Sequence, residues 1–188
     1  MWTSIDVKFA TPGDAEAIGH IQVASWRAAY QDIVPESYLN SLTANDKIPH
    51  WQRILADPMT AASILIARGD GSPNPTGSQV LGFLSFGSAD DQSEGDEGTT
   101  KEISRQAELR AIYIAPQHFS KGVGQCLWAA AQQKLTDANY STVVVWVFAG
   151  NERAIRFYRS AGFTKSQAGE TEIGGTTVTT LQLIKTLA

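Results

Sequence analysis

The order of apolar and polar residues divides the chain into short strands and amphipathic helices. Alternating or continuous apolar runs predict strands at Ile5–Ala10, Ser63–Ala67, Val80–Phe86, Glu108–Ile114 and Thr142–Phe148. Apolar residues at helical spacing predict helices at Pro12–Tyr30, Pro35–Leu42, Ala44–Ala56, Gly122–Ala138 and Asn151–Ala161. Two further strands, Thr171–Ile173 and Thr177–Ile184, are expected to form a hairpin around Gly174 and Gly175.

This succession predicts one α/β domain built on a mixed sheet. It is neither a strict strand–helix alternation nor all-strand, so a sheet with helices on both faces fits it best. The chain has 188 residues and no internal repeat, which favours a single domain over residues 1–188. Residues 69–78 are predicted to be a long hairpin loop. Residues 87–100, rich in Asp and Glu, are predicted to form a solvated acidic loop.

The composition argues against several classes of protein. With 15 Lys and Arg against 19 Asp and Glu, the net charge is −4, whereas a nucleic-acid binder needs a basic surface. The single cysteine excludes an internal disulfide, and the three histidines lack metal-ligand spacing, so no metal site is expected. The first ten residues lack the basic and apolar regions of a signal peptide, and no apolar run reaches membrane-spanning length, so neither feature is expected. A soluble, cytoplasmic protein without membrane or nucleic-acid partners is expected.

The first candidate for chemistry is an acidic residue on an otherwise apolar strand. Glu108 and Arg110 are expected to share one strand face with Ile112 and Ile114. One interpretation is an exposed strand end, where a charged residue is solvated. The other is a carboxylate at the floor of a cleft, where it can accept a proton.

A pair of glycines begins the helix that follows this strand. Gly122 and Gly124 flank Val123, and without side chains there the backbone amides can approach an anion closely. The positive end of the helix dipole and the charge of Lys121 would add to the attraction. The segment has neither the Walker A pattern nor the three-glycine dinucleotide pattern. A phosphate cradle is one interpretation, and a tight turn without a ligand is the other.

A second pattern follows the next strand. Thr142–Phe148 has no polar alternation and is therefore expected to be central and buried on both faces. Asn151 can cap the following helix, and Gly162 can end it. On this helix Tyr158 is either a core aromatic residue or a hydroxyl directed into the same cleft as Glu108.

These segments together resemble the GNAT superfamily of N-acetyltransferases. Asn151–Phe163 matches the family motif N-x-x-A-x-x-F-Y-x-x-x-G-F in full, and Phe119–Gly124 resembles its acetyl-CoA motif Q/R-x-x-G-x-G/A. Leu81-Gly82-Phe83 resembles a further family strand, and residues 25–39 resemble the acceptor-side segment of many members. The resemblance implies a GNAT-like, mostly antiparallel central sheet of about seven strands with helices on both faces.

The resemblance also implies that the protein binds acetyl-CoA as a co-substrate and uses no metal. The first position of the phosphate motif holds Phe119 instead of Gln or Arg. Because the motif acts mainly through backbone amides, binding is expected to survive, with Phe119 available to cover the cofactor. The residues expected at the cofactor are Ile112, Tyr113, Ile114, Phe119, Ser120, Lys121, Gly122, Val123, Gly124, Gln125, Asn151, Ala154, Phe157 and Tyr158.

The family's chemistry is direct transfer to an amine bound at the same time. Glu108 is the candidate base that removes the amine proton, and Tyr158 is the candidate acid for the departing thiolate. The ordinary pKa values of a thiol, about 8.5, and of a phenol, about 10, make that transfer feasible. The acceptor is expected to be a small-molecule or peptide amine. Trp26, Tyr30 and Asp32 are candidate contacts, because an aromatic pair and a carboxylate suit a cationic amine.

Several alternatives remain open from the sequence. Trp26 and Tyr30, at i and i+4, also fit simple core packing. Cys126, near a helix N-terminus, is a candidate acyl-carrying nucleophile, although a packed core cysteine fits as well. The same fold can also bind acyl-CoA without chemistry, as a sensor or as a subunit of an assembly. Many relatives are dimers, so a homodimer is a further expectation.

Overall fold

A computed structural model describes residues 4–70, 78–89 and 105–187 of the chain. Its strands are β1 (Ile5–Phe9), β2 (Ile64–Asp70), β3 (Ser78–Ser88), β4 (Gln106–Ile114), β5 (Thr142–Phe148), β6 (Thr164–Ile173) and β7 (Thr176–Thr186). Its helices are α1 (Ala15–Ala29), α2 (Glu36–Ser41), α3 (Ala44–Ala56), α4 (Pro58–Ala61), α5 (Val123–Asp137) and α6 (Glu152–Ser160). Within these ranges, no helix is long and apolar enough to cross a lipid bilayer.

The seven strands form one sheet in the order β1-β2-β3-β4-β5-β7-β6. Every neighbouring pair is antiparallel except β4 and β5, which run parallel. This arrangement confirms the predicted α/β fold with a mostly antiparallel sheet. β4 and β5 pair only from Gln106 to Glu108 and from Thr142 to Val144. Beyond those residues the two strands separate, and a gap opens in the middle of the sheet.

Helices cover both faces of the sheet and bury a core on each. On one face, α5 and α6 pack onto the sheet through residues such as Leu127 and Ile155, and we call it the α5/α6 face. On the other, α1 and α3 bury Ile18 and Trp51 against Phe83 of β3, and we call it the α1/α3 face. The gap between β4 and β5 therefore lies between two well-packed layers.

A bulge in β4 changes the phase of its side chains. Phe86 of β3 pairs with Leu109, but the preceding residue Ser85 pairs with Ala111. Arg110 is consequently the extra residue of β4 at this bulge. Such a bulge bends the strand and redirects the side chains on either side of it.

The bulge corrects one expectation about the candidate base. Before it, Leu109 is buried in the α5/α6 core, so strand alternation places Glu108 on the α1/α3 face. After it, Ile112 and Ile114 pack against the α5/α6 core. The expectation that Glu108 and Arg110 share a face with Ile112 and Ile114 is therefore wrong for Glu108, because a sequence pattern does not reveal an extra residue in one strand.

The predicted ends of α6 are confirmed. Asn151 Oδ1 accepts a hydrogen bond from the Ala154 N–H at 3.1 Å, which makes Asn151 the N-cap. Gly162 has a φ of +90°, a left-handed conformation that suits glycine after a helix. The Phe163 N–H then donates a hydrogen bond to the carbonyl of Tyr158 at 3.0 Å. These contacts hold the motif segment in one conformation.

Three other expectations need correction. β6 begins at Thr164 and not at Thr171; nearly all of its residues are exposed on the sheet edge, so no apolar alternation marks it. β5 is central, but its Trp146 is 42 % exposed, so the strand is not buried on both faces. Residues 69–70, 78 and 87–88 belong to strands. Ala89 is also described and belongs to no strand, and the remaining loop residues, 71–77 and 90–100, lie outside the described part of the chain.

Candidate active site

A cleft of about 440 Å³ opens where β4 and β5 separate. Its walls are the end of β4, the loop from β4 to α5, the first turn of α5 and one side of α6. The predicted cofactor residues that line it are Ile112, Tyr113, Ile114, Phe119, Ser120, Gly122, Val123, Gly124, Gln125, Asn151, Ala154, Phe157 and Tyr158. Lys121 is exposed and is not one of the lining residues.

The first turn of α5 presents backbone donors to this cleft. Gly122 is the N-cap with a φ of +85°, and the Cys126 N–H donates to its carbonyl at 3.1 Å. The amides of Val123, Gly124 and Gln125 precede that bond and so have no acceptor within the helix. The helix dipole adds partial positive charge at the same place. This geometry suits a phosphate group.

The charged side chains that line the cleft are both basic. Arg153 and Arg156 line it from α6, and no Asp or Glu is among the lining residues described. The guanidinium of Arg153 lies 3.9 Å from the ring centroid of Phe119, and Arg156 pairs with Glu152 at 3.1 Å. Burial lowers the pKa of His118, which also lines the cleft, so its imidazole is neutral at pH 7.

Sequence reasoning missed Arg153 as a site residue. The available signal was its place two residues after the Asn151 cap, in the first turn of a helix that runs along the cleft. The sequence does not show which residue the Arg153 side chain contacts. Phe119 is far from Arg153 along the chain, and only the packing of the β4–α5 loop against α6 brings them together.

A second, smaller cavity of about 170 Å³ adjoins the cleft. It lies between Arg110–Tyr113 of β4 and Val145–Phe148 of β5, beside Trp26 at the end of α1. The residues that line both spaces, and so form the wall between them, are Tyr30, Ile112, Tyr113, Asn151, Ala154 and Tyr158. Because these residues border both spaces, molecules bound in the cleft and in the smaller cavity would lie next to each other at the gap in the sheet.

Aromatic side chains dominate the smaller cavity. Trp26 Nε1 donates to the Tyr113 hydroxyl at 2.9 Å. Tyr30 packs edge-on against Trp26 and Phe148, with ring centroids 4.9 and 4.8 Å apart, respectively. Trp26 and Tyr30 were predicted at an acceptor site, and both line this cavity, whereas Phe148 and Trp146 were not predicted. The sequence indicated Phe148 and Trp146 only weakly as site residues, because aromatic residues in a strand expected to be buried are ordinary core residues.

Three tyrosine hydroxyls converge near the wall between the two spaces. Burial raises the pKa of Tyr30, Tyr113 and Tyr158, and each of these phenols therefore keeps its proton well beyond neutral pH. The side chain of Asn151 partly opposes this rise for Tyr30, because it favours the charged form of the phenol and lowers its pKa. The site thus holds protonated donors and no buried carboxylate among its lining residues.

The two predicted carboxylates, Glu108 and Asp32, are positioned differently relative to the gap between β4 and β5. Glu108 is half-buried on the α1/α3 face and pairs with Val144 at the last position where β4 and β5 are joined. It therefore stands at the base of the gap, although it is not one of the residues that line either space. Asp32 is exposed in the turn after α1 and also lines neither.

Neither a metal centre nor a reactive thiol is evident at the site. The described residues include no group of three or more His, Cys, Asp or Glu side chains that could hold a metal ion. Cys126 is half-buried in α5 and lines neither the cleft nor the smaller cavity. Its position fits a packed cysteine better than a nucleophile.

Comparison with known proteins places the chain in a class. The family model of the Acetyltransferase (GNAT) family matches residues 17–163. The chain therefore belongs to the acetyltransferase (GNAT) family, which confirms the sequence resemblance. Over 171 residues it is 28% identical to the uncharacterized N-acetyltransferase YuaI of Bacillus subtilis (strain 168), covering 91% of this chain and 87% of that protein.

Solved structures share the fold at lower sequence identity. The PaiA N-acetyltransferase of Thermoplasma acidophilum, in complex with coenzyme A, has a TM-score of 0.70 at 20% identity, covering 98% of this chain and 99% of that one. The ribosomal-protein-alanine N-acetyltransferase of Brucella melitensis has a TM-score of 0.70 at 19% identity, covering 97% and 99%. At this level of sequence identity, these similarities show that the fold is shared.

The glycine turn generates the first prediction. A Cβ on Gly124 would lie 3.3 Å from the ring of Phe157, so a longer side chain there would have to extend into the cleft. Gly124→Glu adds a negative charge beside the proposed phosphate position and should weaken acetyl-CoA binding by about a hundredfold or more. Isothermal calorimetry measures this, with Ala129→Glu on the exposed side of α5 as the charge-matched control. Wild-type affinity in Gly124→Glu would refute the phosphate cradle.

Proposed function

We propose that this protein is an N-acetyltransferase that moves the acetyl group of acetyl-CoA directly to a primary amine while both substrates are bound. The observation that carries the proposal is the gap between β4 and β5. A cleft with a phosphate-suited turn and a smaller aromatic cavity meet there at a shared wall that includes Tyr158. Family membership and the CoA-bound relative of the same fold support it.

The cleft fits the parts of acetyl-CoA in order. The pyrophosphate would bind at the amides of Val123, Gly124 and Gln125, near two arginines. The pantetheine arm carries amides and resembles a short peptide. The edge of β4 that faces the gap, where its pairing with β5 has ended, can hydrogen-bond with this arm as a neighbouring strand would. The acetyl group would then lie in the gap, where a backbone N–H can polarise its carbonyl.

The acceptor amine must be neutral to attack, because an ammonium group has no lone pair. Glu108 is the proposed base, acting directly or through one water, since it stands at the base of the gap on the α1/α3 face. Glu108 first takes the proton of the bound ammonium group. As the C–N bond then forms and the C–S bond breaks, the nitrogen loses a further proton to water and the sulfur gains one from Tyr158. The acceptor would enter beside Trp26 and Tyr30, which line the smaller cavity.

Tyr158 is the proposed donor to the departing sulfur. It is buried, lines both spaces and lies on the opposite side of the gap from the Glu108 face. Burial raises its pKa, so the phenol is protonated when the C–S bond breaks. The same burial makes the departing thiolate more basic than a thiolate in water. Tyr158 therefore donates a hydrogen bond to the sulfur as the C–S bond breaks, and its proton follows. Because a phenol is a weaker acid than a thiol, the phenolate must then regain a proton from solvent.

A direct assay tests the activity. The full chain is incubated with acetyl-CoA and a panel of amines that covers amino acids, polyamines, aminoglycosides and peptides with free N-termini. A thiol reagent measures CoA release, and mass spectrometry measures the acetylated product. We expect turnover with at least one class of amine. Acetyl-CoA binding without turnover on any of them would favour a non-catalytic acyl-CoA sensor instead.

The role of Tyr158 generates a kinetic prediction. Tyr158→Phe keeps the ring and removes only the hydroxyl, so kcat should fall by about ten- to a thousandfold, the range for general acid catalysis. The Kd for acetyl-CoA should change little. Tyr140→Phe, on a half-buried tyrosine that lines neither space, is the matched control. If single-turnover rates of Tyr158→Phe equal those of the wild type, Tyr158 is a structural residue.

The position of Cys126 generates a prediction about the route. Direct transfer places no acetyl group on the protein, and Cys126 lines neither substrate space. Cys126→Ala should therefore keep most of the activity, at a cost of about 1 kcal/mol in stability from lost packing. Initial-rate plots should intersect. A stoichiometric acetyl adduct on Cys126 after incubation with acetyl-CoA alone, transferable to an amine, would replace this route with a ping-pong one.

A further inference from the structure

The phosphate end of the cleft lacks one side chain that the family motif supplies. Where that motif has Gln or Arg, this chain has Phe119, which can neither donate a hydrogen bond nor carry charge. Phe119 nevertheless lines the cleft, together with Ser120 and the glycine turn. A polar function at this place must therefore come from another residue, or be absent.

Arg153 occupies the space over this phenylalanine. Its guanidinium carbon lies 3.9 Å from the centroid of the Phe119 ring, well within the range of a cation–π contact. Phe119 belongs to the loop before α5, whereas Arg153 belongs to the first turn of α6. The contact therefore joins the two walls of the cleft and holds a positive charge at its phosphate end.

Stacking leaves the guanidinium ready to bind an anion. The cation–π contact with Phe119 uses the face of an aromatic ring and no hydrogen-bond acceptor, so it leaves the N–H donors of the guanidinium available for an anion. Arg156, which also lines the cleft, is already paired with Glu152. Among the described lining residues there is no carboxylate to compete for Arg153.

We infer that Arg153, held on the ring of Phe119, binds a phosphate of CoA in place of the missing motif side chain. The inference rests on the proposed function, because it requires that the cleft bind CoA. Arg153 acts by contact with the phosphate, and Phe119 acts as a positioning residue through Arg153. The Phe119 substitution is then a relocation of the phosphate contact from the β4–α5 loop to α6.

The primary test is CoA affinity by isothermal calorimetry. Arg153→Ala should raise the Kd for CoA by about ten- to a hundredfold, as expected for the loss of a charge-assisted hydrogen bond. Arg153→Lys keeps the charge but loses the forked set of guanidinium donors and should show a smaller increase, about threefold. Arg159→Ala removes the same charge from an exposed position on α6 that does not line the cleft and should leave the Kd unchanged. Thermal melting checks that each variant is folded.

A double-mutant cycle tests the role of Phe119. If Phe119 acts through Arg153, Phe119→Ala should weaken binding in the wild type but add nothing in the Arg153→Ala variant. Phe119→Gln, which restores the family residue, should recover affinity in the Arg153→Ala background. Fully additive losses would show that Phe119 contacts CoA by itself, and would overturn its positioning role.

Ligand variants identify the phosphate and separate the failure modes. If Arg153 binds the 3′-phosphate, dephospho-CoA should bind wild type and Arg153→Ala equally; if it binds the pyrophosphate, the difference should persist. Wild-type protein that binds no CoA would refute the proposed function itself. Wild-type binding with an Arg153→Ala Kd within twofold of it would refute only this inference.

Discussion

The site depends on the early end of the pairing between β4 and β5. A parallel pair cannot be closed by a tight turn, and here the crossover that joins these strands contains α5. The first turn of α5 is thereby placed at the end of β4, beside the gap. Backbone groups along the open edges of both strands need partners, because an unpaired buried amide or carbonyl is costly. A peptide-like arm of a cofactor can supply those partners.

The two faces of the sheet divide the proposed chemistry. The bulge at Arg110 leaves Glu108 on the α1/α3 face, whereas Tyr158 approaches from α6 on the other. A base and an acid on opposite sides of one gap can act on the two ends of a transfer without neutralising each other. In the proposed mechanism, the aromatic residues around Trp26 line the cavity through which the acceptor would enter.

The net charge of this protein does not describe the charge at its cleft. The chain carries a net charge of −4, yet the cleft is lined by two arginines and a helix N-terminus. Net charge argued against a basic nucleic-acid surface but carried no information about a single anion site. The stack of Arg153 on Phe119 also means that a departure from a motif at one position is understood only with its neighbours in space.

The sequence by itself determined the features set by local contacts: the Asn151 cap, the Gly162 end, the glycine turn before α5 and the family motif over Asn151–Phe163. Hydrogen bonds and backbone conformation within a few residues decide these features, so a sequence pattern records them. Only the tertiary structure decided the bulge in β4, the exposure of Trp146, the full length of β6 and the contact between Phe119 and Arg153. Each of these depends on strand register or on packing between distant segments, and no local pattern encodes which distant residue will be the neighbour.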